Sequence, residues 1–496
     1  MSAAASPLNR TLLALAALGA ATPAAAGSIT SFTAGDLVID MVTNSTALPN
    51  AAALDTASPM TLQEFSLGAG GMSATSVGTF TLPQTANGAN WAISGEYGSA
   101  SEGLLQLSGD GHLLTIMGYG VNANAFNTAP LSTYGTAALG QTTSVPGGPS
   151  TVVPRVVAAI GANGSVDTST VVLNFADQNN PRSAYTVDGS SFYVSGQGAS
   201  KTDPTQGVQL VSRGASTGTT INNQTDTRFV TAYQNTLYVS RDYNPPGSGA
   251  QNFTGVVQLG STGALPTSPV STPTHIIPPA SPLSSGVNNG SINLTSALAN
   301  GVNNSRIGSF VYLSPEEFFF ASPTVLYVAD SGQPKNGNAN KAALGEGGLQ
   351  KWVLNTTTGV WSLEYDLYQG LNLVNNNNVN LPGNTVTTPG VTGLFGLTGK
   401  VVGGQVELFA TSYGLNELSP SYLYEITDTL SATTPGVGEA FTTLFSTVGT
   451  NISIRGVSFA PAPGPVLGQG LVSLGGLIAA GARAILARRR RPEGRA

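Results

Sequence analysis

Short hydrophobic segments recur along residues 28–460, separated by clusters of Gly, Asn, Asp and Pro. Such a pattern is typical of many short β-strands, because the turn residues interrupt the chain every few positions. The 3.6-residue periodicity of amphipathic helices is nearly absent from this region. The hydrophobic pattern therefore predicts an all-β fold.

One pair of hydrophobic segments occurs four times along the chain. The copies are residues 192–196 with 207–211, 237–240 with 255–259, 326–330 with 348–353, and 408–412 with 422–426. Further strands precede two copies at 182–185 and 228–232, and another follows at 360–365. Four strands per unit is the size of a propeller blade.

The repeat predicts a β-propeller over residues 27–460. Blades of about 60 residues would give seven four-stranded blades. The segment from Arg455 to Ala460 is expected to pair with residues 35–41 and to close the ring. A right-handed β-solenoid is the alternative architecture, although its repeats are shorter, about 20–30 residues.

Both termini differ in composition from this domain. Residues 1–26 are expected to form a signal peptide, since Arg10 precedes a short apolar segment and Ala24 and Ala26 precede a mature start at Gly27. Residues 461–465 form a Pro-rich junction, residues 466–487 an apolar transmembrane or sorting helix, and residues 488–496 a basic tail. The tail contains Arg488, Arg489, Arg490 and Arg491, which are expected to stay in the cytoplasm and to leave the propeller outside.

Composition agrees with export and excludes some functions. The chain contains no Cys, so neither disulfides nor thiol chemistry are available. Charged residues make up 9% of the chain, against ~25% in typical proteins. Lys and Arg are sparse in the domain and form no basic cluster there, so the sequence does not predict nucleic-acid binding.

The C-terminal segment resembles the PEP-CTERM family of bacterial sorting signals, which combine a Pro-containing motif, one transmembrane helix and an Arg cluster. The motif position reads Pro461-Ala462-Pro463 and lacks the Glu usual between the prolines. The resemblance implies an exosortase-type processing enzyme as a partner. An ordinary single-pass anchor is the alternative, and both place the protein at the cell envelope.

The domain itself looks like a group of exported bacterial propeller proteins of unassigned activity. The similar segments are residues 102–105, 110–115, 118–119, 182–184, 188–189 and 348–352. These residues look architectural, so the resemblance implies the propeller fold and says little about chemistry.

Candidate chemical groups are few. His112 lies in the turn Asp110-Gly111-His112, and His275 lies in a Pro-rich segment that is predicted to be a loop.

Propeller lactonases and quinone dehydrogenases hold carboxylates and calcium in their channels. The corresponding candidates are Glu102, Asp188, Asp242, Asp330 and Glu425. Asp330, with Asn336 and Asn338 behind it, offers the oxygen ligands that calcium prefers, although turn formation is the simpler explanation for this Asp.

Three functions stay open on this basis. The favoured one is a non-enzymatic cell-surface or secreted propeller that binds an extracellular polysaccharide or protein, as in adhesion. The second is a propeller hydrolase or dehydrogenase with a metal and carboxylates in its channel. The third is a structural component of an extracellular polysaccharide matrix. No cofactor is predicted for the favoured role, and calcium is the candidate for the enzymatic one.

Overall fold

The structure is a computed structural model of the full chain. It describes residues 27–43, 55–99, 101–242, 254–277, 287–288, 291–293, 310–332, 347–371, 373, 391–414 and 419–464. The predicted signal peptide before Gly27, the apolar helix 466–487 and the Arg cluster lie outside these residues. No helix in the described part is both long and apolar enough to span a bilayer.

The described chain builds four antiparallel sheets of four strands, a nine-stranded sheet that contains two further blades, and a short three-stranded sheet, with the strands numbered in chain order. The first blade contains β1 (Leu37–Thr43), β2 (Ala57–Leu67), β3 (Ala74–Thr81) and β28 (Ile452–Phe459). The second contains β5 (Gln106–Leu107), β6 (Leu113–Tyr119), β7 (Arg155–Gly161) and β8 (Val166–Val172). The short strand β4 (Ser94–Glu96) pairs with both β2 and β6 and so links these two blades.

The other four blades each use a continuous stretch of chain. The third contains β9 (Pro181–Tyr185), β10 (Ser191–Gly196), β11 (Gly207–Ser212) and β12 (Thr219–Asn222). The fourth contains β13 (Thr227–Tyr233), β14 (Thr236–Arg241), β15 (Gly255–Leu259) and β16 (Thr274–Ile277). The fifth contains β20 (Pro315–Ser322), β21 (Val325–Asp330), β22 (Gly348–Asn355) and β23 (Val360–Leu367). The sixth contains β24 (Val391–Val402), β25 (Gln405–Gly414), β26 (Tyr422–Thr429) and β27 (Thr442–Ser446).

The remaining elements are short and lie in connections. They are α1 (Ala123–Thr128), α2 (Leu131–Tyr134), the 3-10 turns Ala69–Gly71 and Leu139–Gln141, and a sheet of β17 (Val287–Asn288), β18 (Ser291–Asn293) and β19 (Phe310–Tyr312). Asn122 caps α1 by accepting a hydrogen bond from Ala125 N.

The structure confirms the repeated hairpin. All four copies are the second and third strands of blades three to six, and each pairs antiparallel in register. One detail of the sequence interpretation is wrong. His275 lies on β16, opposite Val257, rather than in a loop. The Pro residues around 275 had suggested a loop, but the ladder to β15 holds this segment as an edge strand, where Pro is tolerated.

A ring results from contacts between successive innermost strands, in the order β28, β5, β9, β13, β20, β24 and back to β28. The C-terminal strand β28 pairs with β1 from Leu37↔Phe459 to Thr43↔Ile452, which confirms the predicted closure. The architecture is a β-propeller. The predicted count of seven blades is not confirmed, since the described strands close with six.

Hydroxyl groups join neighbouring blades near the channel. In four blades a Ser or Thr on the second strand donates to a main-chain carbonyl on the innermost strand of the next blade. The pairs are Thr115 with Ala184 O, Ser195 with Arg228 O, Ser240 with Glu316 O, and Thr411 with Arg455 O. These hydroxyls explain why three of the four sequence repeats have Ser or Thr at the fourth position of their first segment. The fifth blade has Ala329 there, and the first has Asp40.

We expect Thr411→Val to destabilise the protein by ~1–3 kcal/mol, because it leaves buried main-chain groups without a partner. The Thr411 hydroxyl donates to Arg455 O (2.6 Å) and accepts from Gly396 N (2.8 Å). Thr443→Val, at an exposed position on β27 of the same blade, is the control and should change stability by less than ~0.5 kcal/mol. Urea unfolding followed by tryptophan fluorescence measures both. Equal effects of the two substitutions would contradict the inter-blade role.

The two ends of the ring differ. We call the end at which the innermost strands begin the upper end, and the opposite one the lower end. Lower connections are mostly tight, such as 234–235 and 403–404, where both central residues have positive φ as two-residue hairpins require. Upper connections include 44–56, 120–154, 278–314 and 368–390. The described chain enters β1 and leaves β28 at the lower end, where Ala460 N donates to Asp36 O (2.7 Å).

Candidate functional site: the central channel

Charged side chains surround the upper end of the channel. Five of the six innermost strands carry one at or just before their first residues: Glu102, Arg182, Arg228, Glu316 and Arg455. Each is at least nine-tenths buried. Because buried charges must be paired or hydrogen-bonded, the partners of these residues define what the site can do.

Two arginines and three carboxylates form one network between blades three, four and five. Asp226 lies 2.6 Å from Arg182 Nη1 and 3.1 Å from Arg228 Nη2. Arg228 also lies 3.5 Å from Asp242 and 3.6 Å from Glu316. Burial alone would lower the pKa of Arg228, but the three carboxylates together raise it. The three carboxylates therefore favour the charged form of Arg228.

A buried carboxyl pair, Glu96 and Glu102, lies at the second blade. Asn180 Nδ2 lies 3.1 Å from one oxygen of each carboxyl, and Tyr119 donates its hydroxyl to Glu102 (2.8 Å). Gly140 N donates to Glu96 (2.9 Å). Burial raises the pKa of both carboxyls, and the charge of Glu102 raises that of Glu96 further. Each carboxyl therefore holds a proton to higher pH than an exposed glutamate.

Asp40 and Arg455 complete the ring of charge at the first blade. Arg455 Nη2 donates to Tyr97 O (2.5 Å). Asp40 is fully buried, and burial raises its pKa to about 8 although Arg455 opposes the shift. Gly103 makes room for this carboxyl, since a Cβ there would lie 2.8 Å from Asp40 Oδ2. Asp40 occupies the position of the inter-blade hydroxyls, but neither of its carboxyl oxygens makes a hydrogen bond to a described residue of the next blade.

The structure brings only some of the sequence candidates together. Glu102 and Asp242 lie at the upper channel end. Asp188 lies in a lower turn, where hydrogen bonds from Ser190 lower its pKa. Glu425 lies on the third strand of blade six, away from the channel, and accepts from Thr427 Oγ1 (2.8 Å).

Asp330, the calcium ligand predicted from the sequence, is the last residue of β21 and lies near Asp242 and Glu316 of the Arg228 network. Its carboxylate accepts from Ser314 N (3.0 Å), Gly332 N (2.8 Å) and Gln350 Nε2 (2.8 Å). Asn336 and Asn338 lie outside the described residues. Among the residues that are described, no group of three His, Asp or Glu side chains is placed to hold a metal ion.

Several residues of the upper site were missed from the sequence: Asp40, Glu96, Asp226, Arg228 and Glu316. One signal could have found the arginines. The segments Arg182-Ser183-Ala184, Arg228-Phe229-Val230 and Arg455-Gly456-Val457 each place Arg near the start of an innermost strand. A repeated charge at the same blade position indicates a ring around the channel.

The lower half of the channel is different in character. A cavity of about 330 Å³ lies there, and its lining comes from β5, β13, β20, β24 and β28. Glu317 is its one acidic residue among the described ones, and most of the lining is aromatic or aliphatic. Apolar concave sites with few polar groups are typical of ligand pockets.

The C-terminal motif docks at the lower end. Pro461 is buried, Ala462 N donates to Gly111 O (2.9 Å), and His112 Nδ1 lies 3.2 Å from Ala462 O. Pro463 and Gly464 are exposed. The turn at His112 thus has an architectural role, which holds the first residues of the junction against the ring.

The fold defines the protein as a β-propeller. No protein-family model matches the chain, and no curated protein is similar to it in sequence. Among solved structures, AztD of Citrobacter koseri is 11% identical, with a TM-score of 0.29 over 87% of this chain and 99% of that one. An oligogalacturonate lyase of Vibrio parahaemolyticus is 8% identical, with a TM-score of 0.32 over 82% and 98%. These superpositions are too distant to bear on activity, and strand pairing alone defines the fold here.

Proposed function

We propose that this protein is an exported, non-enzymatic propeller of the bacterial cell envelope that binds an extracellular polysaccharide or protein. The observation that carries the display role is the difference between the two ends of the ring. The long connections are at the upper end, whereas the chain enters and leaves at the lower end. A tail that anchors the lower end in a membrane would present the upper end outwards.

The sorting segments complete this proposal. Residues 1–26 act as the signal peptide, residues 466–487 span the membrane, and Arg488–Arg491 stay cytoplasmic. An exosortase-type enzyme processes the tail. Because Pro461 and Ala462 contact the propeller, processing would act after Ala462, where Pro463 and Gly464 are exposed.

Fluorescence energy transfer from the protein to labelled lipids tests this orientation. The chain has no native Cys, so Ser200→Cys at the upper end and Thr357→Cys at the lower end each give one dye site. Both residues are exposed. In vesicles that contain the full chain, transfer should be stronger from position 357 than from 200. A chain that ends at Gly464 is the control and should give no transfer. Stronger transfer from position 200 would refute the proposed orientation.

One observation favours the alternative, a hydrolase or dehydrogenase. The Glu96 and Glu102 carboxyls share Asn180 and have raised pKa values, as acid–base groups often do. Elemental analysis of the purified full chain distinguishes the two functions. A stoichiometric divalent ion that is lost in Glu102→Gln would support the enzyme and contradict the non-enzymatic function.

A further inference from the structure

The cavity in the lower channel has a polar group that lacks a partner. Gln106 is 5% exposed, and its Nε2 donates to Val230 O (3.0 Å) across the channel wall. Its Oε1 is buried and accepts no hydrogen bond from any described residue. A buried amide carbonyl without a donor costs free energy. Because Gln106 lines the cavity, a ligand with a hydrogen-bond donor would satisfy this oxygen.

A second polar group lines the same cavity. Glu317 is 2% exposed, and one of its carboxylate oxygens accepts from Leu397 N (2.9 Å). Burial raises the pKa of Glu317 well above its usual range. The carboxyl therefore holds its proton to higher pH than an exposed glutamate, and the protonated form can donate a hydrogen bond.

The rest of the lining is largely apolar. Tyr233, Phe319 and Phe459 are partly exposed, and all three lie at the cavity. Gly399 allows the ring of Phe319 to lie against the backbone, since a Cβ there would be 3.0 Å from that ring. None of the described lining residues is Lys or Arg. An anionic ligand would thus lose its hydration without gaining a cation, which is costly.

We propose that the lower channel binds a neutral sugar unit, with a hydroxyl donating to Gln106 Oε1, another accepting from Glu317, and the C–H face of the ring packed on the aromatic side chains. A purely apolar ligand would leave Gln106 Oε1 unpaired. The cavity, about 330 Å³, is at the small end of the ~300–1,000 Å³ range of ligand pockets. This deepens the proposed binding role by naming a ligand class, but it rests on the cavity and not on the membrane anchor.

Ligand-observed NMR with the detergent-solubilised full chain tests the proposal. The probes are glucose, galactose, mannose and N-acetylglucosamine, with glucuronate as the anionic counterpart. At least one neutral sugar should bind, and glucuronate should bind ~10-fold more weakly than glucose or not at all. Absence of binding by all four neutral sugars, or equal binding of glucuronate, would overturn the proposal.

Variants locate the binding site. Gln106→Met should weaken binding by ~10-fold or more, because it removes the acceptor. Gln209→Met is the matched control: this glutamine is also 5% exposed and also donates to a main-chain carbonyl, that of Asn174, but does not line the cavity. Phe319→Leu is a second test that retains both polar groups. Unchanged binding in Gln106→Met and Phe319→Leu would refute this location. The lipid energy transfer is independent, so anchoring and sugar binding can fail separately.

Discussion

A chain that ends at Thr450 should fail to form the closed propeller, whereas one that ends at Gly464 should fold like the full-length domain. The shorter chain lacks β28, which is the innermost strand of the first blade and pairs with β1 at six residue positions. Each lost main-chain hydrogen bond contributes about 0.5–1.5 kcal/mol. The buried side chains of Ile454 and Val457 are lost as well. The free energy lost with these hydrogen bonds and buried side chains is comparable to the ~5–15 kcal/mol net stability of a typical domain.

Limited proteolysis and near-ultraviolet circular dichroism distinguish the two chains. The chain that ends at Gly464 keeps the contacts of Ala462 with Gly111 and His112, so it should resist proteolysis. The chain that ends at Thr450 should be cut within β1 and β2 and should lose its aromatic dichroism signal. A protease-resistant, monomeric product of the shorter chain would show that closure through β28 is not required.

Sequence patterns predicted the strands that are repeated and the strand that closes the ring. The four hairpins were visible because apolar residues recur in the same order and each is followed by turn residues. The closing strand was predictable because a propeller must pair its two chain ends, and Arg455-Gly456-Val457 was the last apolar segment before the Pro-rich junction. The number of blades was not predictable in the same way, since insertions at the upper end vary in length.

The candidate site was harder to predict, because its members come from different blades. Asp226 contacts Arg182, 44 positions away, and Glu96 shares Asn180 with Glu102 across two blades. Such pairs have no characteristic spacing in the sequence, so no local motif predicts them. The unpaired Gln106 Oε1 could not be predicted either, because the missing hydrogen bond depends on which residues surround the side chain in the fold and not on its neighbours in the chain.

The boundary between blades five and six has a different kind of connection. It lacks the inter-blade hydroxyl, because Ala329 replaces Ser or Thr at that position. A buried ion pair joins these blades instead, with Lys351 Nζ 2.9 Å from Asp428 Oδ2. Both side chains are essentially inaccessible to solvent. Tyr365 donates to Asp428 (2.7 Å), Tyr327 donates to the same carboxylate, and Lys351 donates to Thr429 O (2.7 Å).

We therefore expect Lys351→Met to destabilise the protein by ~3–5 kcal/mol, because it leaves the Asp428 carboxylate buried without its cation. Arg213→Met is the control. Its ion pair with Asp167 joins side chains that are 40% and 22% exposed, so the loss should stay below ~1 kcal/mol. Urea unfolding measures both, and Trp352 and Trp361, on the same sheet as Lys351, report the transition.

A double substitution separates charge burial from packing. Lys351→Met with Asp428→Leu removes both charges, so it should recover much of the stability lost in Lys351→Met alone, since apolar replacement of a whole buried pair is often neutral. If the two losses simply add, the destabilisation comes from altered packing of Tyr327 and Tyr365, and the ion pair is not what joins the two blades. Recovery would instead show that blades five and six are joined by a buried charge pair where four of the other boundaries use a hydroxyl.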